Sequence, residues 1–292
     1  MNLRSHQLRS RAGNSLLLLS CFLLTFIASV AAEEALSDKQ IPLLKVCADP
    51  YMLPFSNKLG EGLENRIAEL FAEKLGAKLQ YTWFPQRMGF IRNTLRAEDE
   101  NGQCCKCDLV MSVPSGFELA AATTPYYTTY YVLVYVRGRG LDEVTKPEML
   151  AEVVNKGKDI NIGLSDQGPA QLWVFEQGLM GHITPYQMML GDAKANHGEI
   201  LIRDLIDGKI DATIVWGPFA GYFAKKFSDE AELVMLRIED DPIEPSMKFQ
   251  YSISMGVRYG EPEWKEKITQ LIENNREEIR QILLDYGVPL VE

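Results

Sequence analysis

Short apolar runs alternate with segments of helical periodicity along most of this chain. Residues 43–48, 78–84 and 108–113 have the length and composition of buried strands. Between them, residues 63–75 place apolar side chains at helical spacing, and residues 90–96 fit a short helix. A β-α-β-α-β order of this kind requires a parallel sheet with right-handed crossovers. The alternation therefore predicts the α/β class.

The same alternation occurs a second time after residue 130. The predicted strands cover residues 130–136, 160–164, 210–215, 233–238 and 249–257, and the predicted helices cover 169–180, 200–206 and 262–287. Two α/β units of similar size predict two lobes around a hinge, each with a mostly parallel sheet flanked by helices. We place the first lobe at residues 33–135 plus 250–292 and the second at residues 136–249. Ligands bind outside the carboxyl ends of strands in such sheets, so the interlobe cleft is the expected site.

The N-terminal segment predicts export. Three arginines and no acidic residue precede an apolar stretch over residues 16–30, and small residues continue to Ala32. This pattern is typical of a secretory signal peptide, which we place at residues 1–32 with cleavage after Ala32. A membrane anchor would need a longer apolar run. A lipoprotein attached through Cys21 is the other alternative, but Cys21 lies inside the apolar stretch. We expect a periplasmic protein.

The charge that remains after export is strongly acidic. Loss of the three leader arginines lowers the basic side chains from 30 to 27, against 40 acidic ones, which leaves a net charge of −13. An acidic surface disfavours nucleic acid and suits a basic protein partner or a soluble solute carrier. No second apolar stretch has the length of a membrane span, so we expect no stable membrane insertion after cleavage.

The cysteines are consistent with an oxidising compartment. Cys47, Cys104, Cys105 and Cys107 remain after export, and an even number suggests disulfides in any of three pairings. Neighbouring Cα atoms are about 3.8 Å apart, whereas disulfides prefer longer separations, so a bridge between Cys104 and Cys105 would be strained. We expect Cys47 to pair with one of the other three. A metal site made by all four cysteines is the alternative, although the spacing is not a familiar zinc pattern.

Aromatic and polar residues are concentrated at the predicted strand ends, as in ligand or recognition pockets. The cleft candidates are Asp49, Tyr51, Phe55, Trp83, Arg87, Phe117, Glu118, Tyr126 and Tyr127 from the first lobe, and Ser165, Asp166, Gln167, Trp216 and Tyr222 from the second. Arg87 is the most informative, because a guanidinium among aromatic residues can meet an anion or stack on a ring. It is equally compatible with a plain surface arginine, and Trp216 is equally compatible with core packing.

Catalytic signatures are missing from the sequence. Only two histidines follow the leader, neither at metal-ligand spacing, and the common nucleophile, zinc-protease and phosphate-loop motifs do not occur. Glu118 and Asp166 are weak acid–base candidates. The acidic stretch that contains residues 239–241 and Glu244 offers oxygen ligands for a hard cation, but a solvated loop explains it as well. We expect no enzyme, no cofactor and no metal.

Several short motifs together resemble one known family. They are residues 46–50 (VCADP), 53–57 (LPFSN), 60–62 (GEG), 85–87 (PQR), 89–95 (GFIRNTL), 215–218 (VWGP), 220–223 (AGYF), 253–258 (ISMGVR) and 286–289 (YGVP). This combination resembles the methanol dehydrogenase-associated periplasmic binding proteins, the J-type accessory proteins of quinoprotein methanol oxidation. The resemblance covers nearly the whole mature chain. It departs at residues 98–105, which look like an insertion, and at residues 167–186, which match loosely.

The resemblance implies the type II periplasmic binding protein fold. It also implies a role beside a pyrroloquinoline quinone-dependent methanol dehydrogenase, in the maturation or activation of that enzyme. Amino acid receptors of this fold usually carry an arginine after the third strand and an acidic residue after a late strand of the second lobe. Residues 115–118 and 216–217 provide neither. The alternative function is therefore a transporter-linked receptor for a small ligand other than an amino acid.

Overall fold

Strands and helices alternate through the chain in the computed structural model, which describes residues 43–166, 168–189, 191–240 and 248–292. The strands are β1 (Leu43–Ala48), β2 (Tyr51–Met52), β3 (Ser56–Asn57), β4 (Lys78–Trp83), β5 (Leu109–Pro114), β6 (Ala121–Ala122), β7 (Tyr127–Val136), β8 (Ile162–Ser165), β9 (Ile183–Tyr186), β10 (Ala212–Trp216), β11 (Leu233–Arg237) and β12 (Gln250–Val257). The helices are α1 (Leu63–Leu75), α2 (Phe90–Asn93), α3 (Met149–Asn155), α4 (Ala170–Glu176), α5 (His197–Ile206), α6 (Gly217–Lys226), α7 (Pro262–Asn274) and α8 (Arg276–Asp285). The predicted leader, Gln167 and Glu244 lie outside the described ranges.

The first lobe is built on the strand order β4-β1-β5-β12-β7. Strands β1, β4 and β5 are parallel, as the alternation predicted, and β12 runs antiparallel between β5 and β7. Helix α1 covers one face of this sheet with Leu63, Ile67 and Phe71, all fully buried. Gly76 ends the helix at φ 60°, a left-handed conformation that glycine adopts without steric cost.

The second lobe continues the same curled sheet in the order β7-β10-β8-β9, with β11 on the other side of β7. Strands β8, β9 and β10 are parallel, and β7 is antiparallel to β10 and β11. The long strand β7 therefore belongs to both lobes. Its residues up to Tyr130 pair with β12, and its residues from Tyr131 onward pair with β10. Strand β7 therefore changes its pairing partner between Tyr130 and Tyr131. The lobe boundary between residues 135 and 136 stays a prediction.

Two helices differ from the predicted lengths at a residue whose side chain bonds to nearby backbone. Helix α2 ends three residues early, and the hydroxyl of Thr94 donates to the carbonyl of Phe90 at 2.6 Å. The predicted C-terminal helix is divided at Asn275, whose side-chain amide donates to the carbonyl of Leu271 at 2.7 Å. Side chains that bond to nearby backbone compete with the helix in this way. Strand β9 was not predicted, and Pro185 suits its position at the sheet edge.

A disulfide joins Cys47 at the end of β1 to Cys107 just before β5, with Cα atoms 5.4 Å apart. This confirms that Cys47 pairs with one of the other three cysteines. The expectation against a bridge between Cys104 and Cys105 was wrong, because the two residues form a vicinal disulfide. Their Cα atoms are 3.0 Å apart, closer than the spacing on which that expectation was based. All four cysteines are thus paired, and the predicted alternative of a four-cysteine metal site is wrong.

Candidate functional site

A cavity of about 420 Å³ lies between the lobes at the carboxyl ends of the parallel strands. Asp49 follows β1, Pro114 ends β5, Ser165 ends β8 and Trp216 ends β10, and all four line the cavity. The position agrees with the strand-end rule for α/β sheets. Its volume falls within the usual range of about 300–1,000 Å³ for ligand pockets.

Half of the predicted cleft residues meet on this cavity wall. They are Asp49, Tyr51, Phe55, Arg87 and Tyr127 from the first lobe and Ser165 and Trp216 from the second. These residues come from loops and strand ends that are up to 167 positions apart in sequence. Residues from both lobes therefore line the same cavity.

Other predicted cleft residues have different surroundings. Trp83 stacks on the neighbouring Tyr81 ring with centroids 4.6 Å apart. The Tyr126 hydroxyl donates to the carbonyl of Met111 at 3.0 Å, inside the first lobe. Tyr222 stacks on Tyr286 at 6.0 Å. These side chains pack within the lobes or between α6 and the C-terminal segment.

The remaining predicted residues also lie away from the cavity wall. Phe117 packs against the apolar cluster around the Cys47–Cys107 bridge. Glu118 is exposed, and Asp166 accepts a hydrogen bond from the backbone amide of Met188 at 2.9 Å. Gln167 is outside the residues that the structure describes.

Asp49 organises the loops at the first-lobe side of the cavity. Its carboxylate accepts backbone hydrogen bonds from Tyr51 at 2.8 Å and Gln86 at 2.5 Å. The Ser56 hydroxyl donates to its carbonyl oxygen at 2.8 Å. Burial raises the pKa of Asp49, while the two backbone amides and the charge of Arg87 oppose that rise. The side chain therefore fixes two loops and is itself satisfied.

Several contacts join the lobes around the cavity. The guanidinium of Arg87 donates to the carbonyl of Asp192 at 3.2 Å. The amide of Asn196 donates to the carbonyl of Leu53 at 2.5 Å. The rings of Phe55 and Phe219 meet edge to face, with centroids 5.4 Å apart. Since each contact joins one lobe to the other, the structure shows a closed cleft.

Aromatic rings and methionines form much of the wall. Trp216 lies 5.0 Å from the Tyr131 ring and 5.7 Å from the Tyr251 ring, measured between centroids. Met188 and Met189 also line the cavity and are 39% and 46% exposed. The cavity wall is thus mainly apolar and includes two partly exposed, flexible thioether side chains.

A buried glutamate and a histidine on the wall were missed by the sequence prediction. Glu64, the second residue of α1, lines the cavity and is only 5% exposed. Burial raises its pKa to about 7, a hydrogen bond from Ser112 opposes the rise, and the charge of Asp49 adds to it. A signal was present, because Glu64 shares the buried helix face with Ile67, Ala68 and Phe71 at helical spacing.

His197 is the other missed residue, at the start of α5. Its Nδ1 lies 3.0 Å from the carbonyl of Gln187, and its Nε2 lies 2.6 Å from the hydroxyl of Ser165. A carbonyl only accepts, so Nδ1 carries the proton and Nε2 accepts from Ser165. Burial lowers the pKa of His197 and favours the neutral ring. No sequence signal placed this histidine beside Ser165, 32 positions earlier.

The ranges covered by the structure hold no group of three or more His, Cys, Asp or Glu side chains able to bind a metal ion. Part of the acidic stretch considered as a cation site, residues 241–247, lies outside those ranges. Among the same residues, no helix has the length and apolar character of a membrane span.

Two α/β lobes that share a long strand and close over an interlobe cavity define a type II periplasmic binding protein. The crystal structure of the periplasmic binding protein XoxJ from Methylobacterium extorquens AM1 matches with a TM-score of 0.67 and 31% identity, over 85% of this chain and 99% of that one. The chain belongs to this family of periplasmic binding proteins, which confirms the resemblance to those associated with methanol oxidation.

Two further relatives extend the comparison. The MoxJ protein of Paracoccus denitrificans is 27% identical over 276 residues, which cover 90% of this chain and 94% of that protein. The crystal structure of MxaJ from Methlophaga aminisulfidivorans MPT has a TM-score of 0.68 at 24% identity, over 85% of this chain and all of that one, and supports the fold. No protein-family model matches the chain.

Proposed function

We propose that this protein is a non-catalytic periplasmic accessory protein that binds a methanol dehydrogenase and assists its maturation or activation. The contact would use the mouth of the interlobe cleft. The observation that carries this proposal is an apolar, methionine-edged cleft in a member of the XoxJ family. No cofactor or metal is part of the proposal.

The side chains at the mouth fit a protein surface. Met188 and Met189 are partly exposed at the cavity, and Met88, next to Arg87 on the wall, is 88% exposed. Methionine is unbranched and polarizable, so it adapts to the shape of a partner. Trp216 and the neighbouring tyrosines supply the aromatic anchors that usually dominate interface energetics. The excess of acidic residues favours a basic patch on the partner.

The residues on the cavity wall favour a binding function over a catalytic one. The two acid–base candidates from the sequence, Glu118 and Asp166, do not lie on the cavity. Ser165 and His197 are paired, but the histidine Nδ1 faces a backbone carbonyl instead of a carboxylate. A carbonyl orients the ring but stabilises the imidazolium that a general base must become less than a carboxylate would. We infer that this pair serves to position the wall.

The test is complex formation with the cognate methanol dehydrogenase, apo and holo, measured by light scattering after size exclusion. We expect a complex with the apo enzyme. The double variant Met188→Ser with Met189→Ser should weaken it about tenfold, equivalent to about 1.4 kcal/mol. Met235→Ser is the matched control, because Met235 is similarly exposed but lies on β11 away from the cavity. Absence of a complex with either form of the enzyme would refute the proposal.

We also infer that residues 1–32 are removed after export. Mass spectrometry of the protein recovered from the periplasm should give a chain that begins at Glu33. A chain that retains the apolar stretch would show that the segment is an anchor instead.

A further inference from the structure

The cavity wall has more acidic than basic side chains. Asp49, Glu64 and Arg87 are its charged side chains among the residues that the structure describes, while His197 favours its neutral form. Asp49 accepts two backbone hydrogen bonds and lies near Arg87. No cationic side chain in the described ranges stabilises Glu64, and Asp49 adds a like charge. The wall therefore carries one buried carboxyl group without a counter-ion.

The surroundings of Glu64 are suited to a cation. Ser112 lines the same cavity, and its hydroxyl oxygen is 3.2 Å from that of Tyr126. Tyr127, Tyr131 and Trp216 line the same cavity with aromatic rings. Ring faces attract ammonium groups, and apolar walls accommodate the attached hydrocarbon. An anion at this point would meet the carboxylate of Glu64 and lose its hydration.

We propose that the cleft binds a primary ammonium group, with the carboxylate of Glu64 as its counter-ion and the aromatic wall around its hydrocarbon chain. The ammonium can arrive on a free alkylamine or on the side chain of a lysine. The inference goes beyond the proposed accessory function and does not depend on it, because it concerns the chemistry of the occupant.

Ionisation of Glu64 sets the pH dependence of such binding. Burial holds the pKa of Glu64 near 7, and an ammonium ion favours the carboxylate form. Binding should therefore release a proton at acidic pH and weaken as pH falls. The groups that face Glu64 are Asp49, Ser112, Tyr126 and Tyr127. Protonation of His197 on the opposite lobe would also repel a cation, so only the Glu64 variant separates the two effects.

The experiment is isothermal titration calorimetry of the mature protein with n-butylammonium, with n-butanol and butyrate as neutral and anionic counterparts. At pH 8 we expect n-butylammonium to bind at least about tenfold more tightly than either counterpart. Its affinity should fall about tenfold or more between pH 8 and pH 5.5. Glu64→Gln should abolish both the preference and most of the pH dependence. Glu73→Gln, an exposed change on the same helix, should alter neither.

A second arm uses capped lysine, Nα-acetyl-lysine N-methylamide, to separate the sources of the ammonium group. Tighter binding of capped lysine than of n-butylammonium assigns the site to a protein side chain, and the reverse order assigns it to a free amine. The preference of the wild type for n-butylammonium over n-butanol and butyrate requires no variant, so a misfolded Glu64→Gln protein does not remove the test. Equal affinity for n-butanol and n-butylammonium, or binding by neither amine, would overturn the proposal. These results are independent of any complex with the dehydrogenase.

Discussion

Replacement of Glu64 by glutamine should change how the stability of this protein depends on pH. In the folded protein, burial raises the pKa of Glu64 from its ordinary value of 4.5 to about 7. Between these two values the folded chain holds a proton that the unfolded chain releases. The free energy of unfolding therefore falls as pH rises through that window. This loss, the penalty for ionising Glu64 in the folded protein, is complete above pH 7. Glutamine has the same shape and no ionisable proton.

The size of the effect follows from the two pKa values. Each pKa unit is equivalent to about 1.4 kcal/mol, so the full penalty is about 3 kcal/mol. About 2–3 kcal/mol of it accumulates between pH 5 and pH 8, since ionisation of the unfolded chain has already begun at pH 5. The free energy of unfolding of Glu64→Gln, minus that of the wild type, should rise by this amount over the same interval.

Urea denaturation followed by circular dichroism and tryptophan fluorescence at pH 5, 6.5 and 8 measures this difference. A corresponding thermal melt should show Glu64→Gln gaining about 4–12 °C relative to the wild type from pH 5 to pH 8. Glu73→Gln removes an exposed carboxylate from the same helix, so its difference from the wild type should stay flat. A flat profile for Glu64→Gln as well would refute the reasoning, because it would mean that Glu64 ionises normally in the folded state.

Three other perturbations test the scaffold around the cavity. Cys47→Ala with Cys107→Ala opens a disulfide across a sequence separation of 60 and should lower the free energy of unfolding by about 4 kcal/mol, measured by chemical denaturation. Asn196→Ala removes the hydrogen bond to the carbonyl of Leu53 between the lobes, and small-angle scattering should show a larger radius of gyration. Gly221→Ala places a methyl group against the carbonyl of the C-terminal segment and should lower stability by about 1–3 kcal/mol in a thermal melt.

Matched variants make these outcomes specific. Asn196→Asp keeps the acceptor that caps α5 through the amide of Glu199, but it cannot donate to Leu53. It should therefore enlarge the radius of gyration with a smaller loss of stability than Asn196→Ala. Gly181→Ala is the control for Gly221, since a methyl group there meets no other atom within 4 Å. Equal effects of the two glycine variants, or a disulfide variant within 1 kcal/mol of the wild type, would contradict the packing described above.

Closure of the cleft links these predictions to function. The contacts of Arg87 with Asp192 and of Asn196 with Leu53 are single hydrogen bonds, each contributing about 1 kcal/mol. Contacts of this size can be exchanged for contacts with an occupant, and hinge closure around a ligand is a common motion of two-lobed proteins. A bound ammonium group would pair with the carboxylate of Glu64 and add an interaction to these contacts between the lobes.

Most of the alternation of strands and helices, the two α/β units and the strand-end position of the cleft could be predicted from the sequence, whereas helices α3 and α6 were not predicted. Residues 43–48 were predicted as a strand and form β1, and α1 occupies the segment with apolar side chains at helical spacing. Such features are encoded by neighbours along the chain, because side-chain periodicity reflects which face of one element is buried. The breaks at Thr94 and Asn275 were missed, since a single side-chain hydrogen bond leaves no periodic pattern.

The sequence by itself thus determined the fold class, the cysteine content and the acidic character of this protein. Only the tertiary structure decided which strand-end residues share a wall. It brought Ser165 to His197, turned Glu64 into the cavity, and left Tyr222 stacked on Tyr286 outside it. These juxtapositions depend on strand register and on how the two lobes meet across β7. That information lies in contacts between distant parts of the chain, and no local pattern carries it.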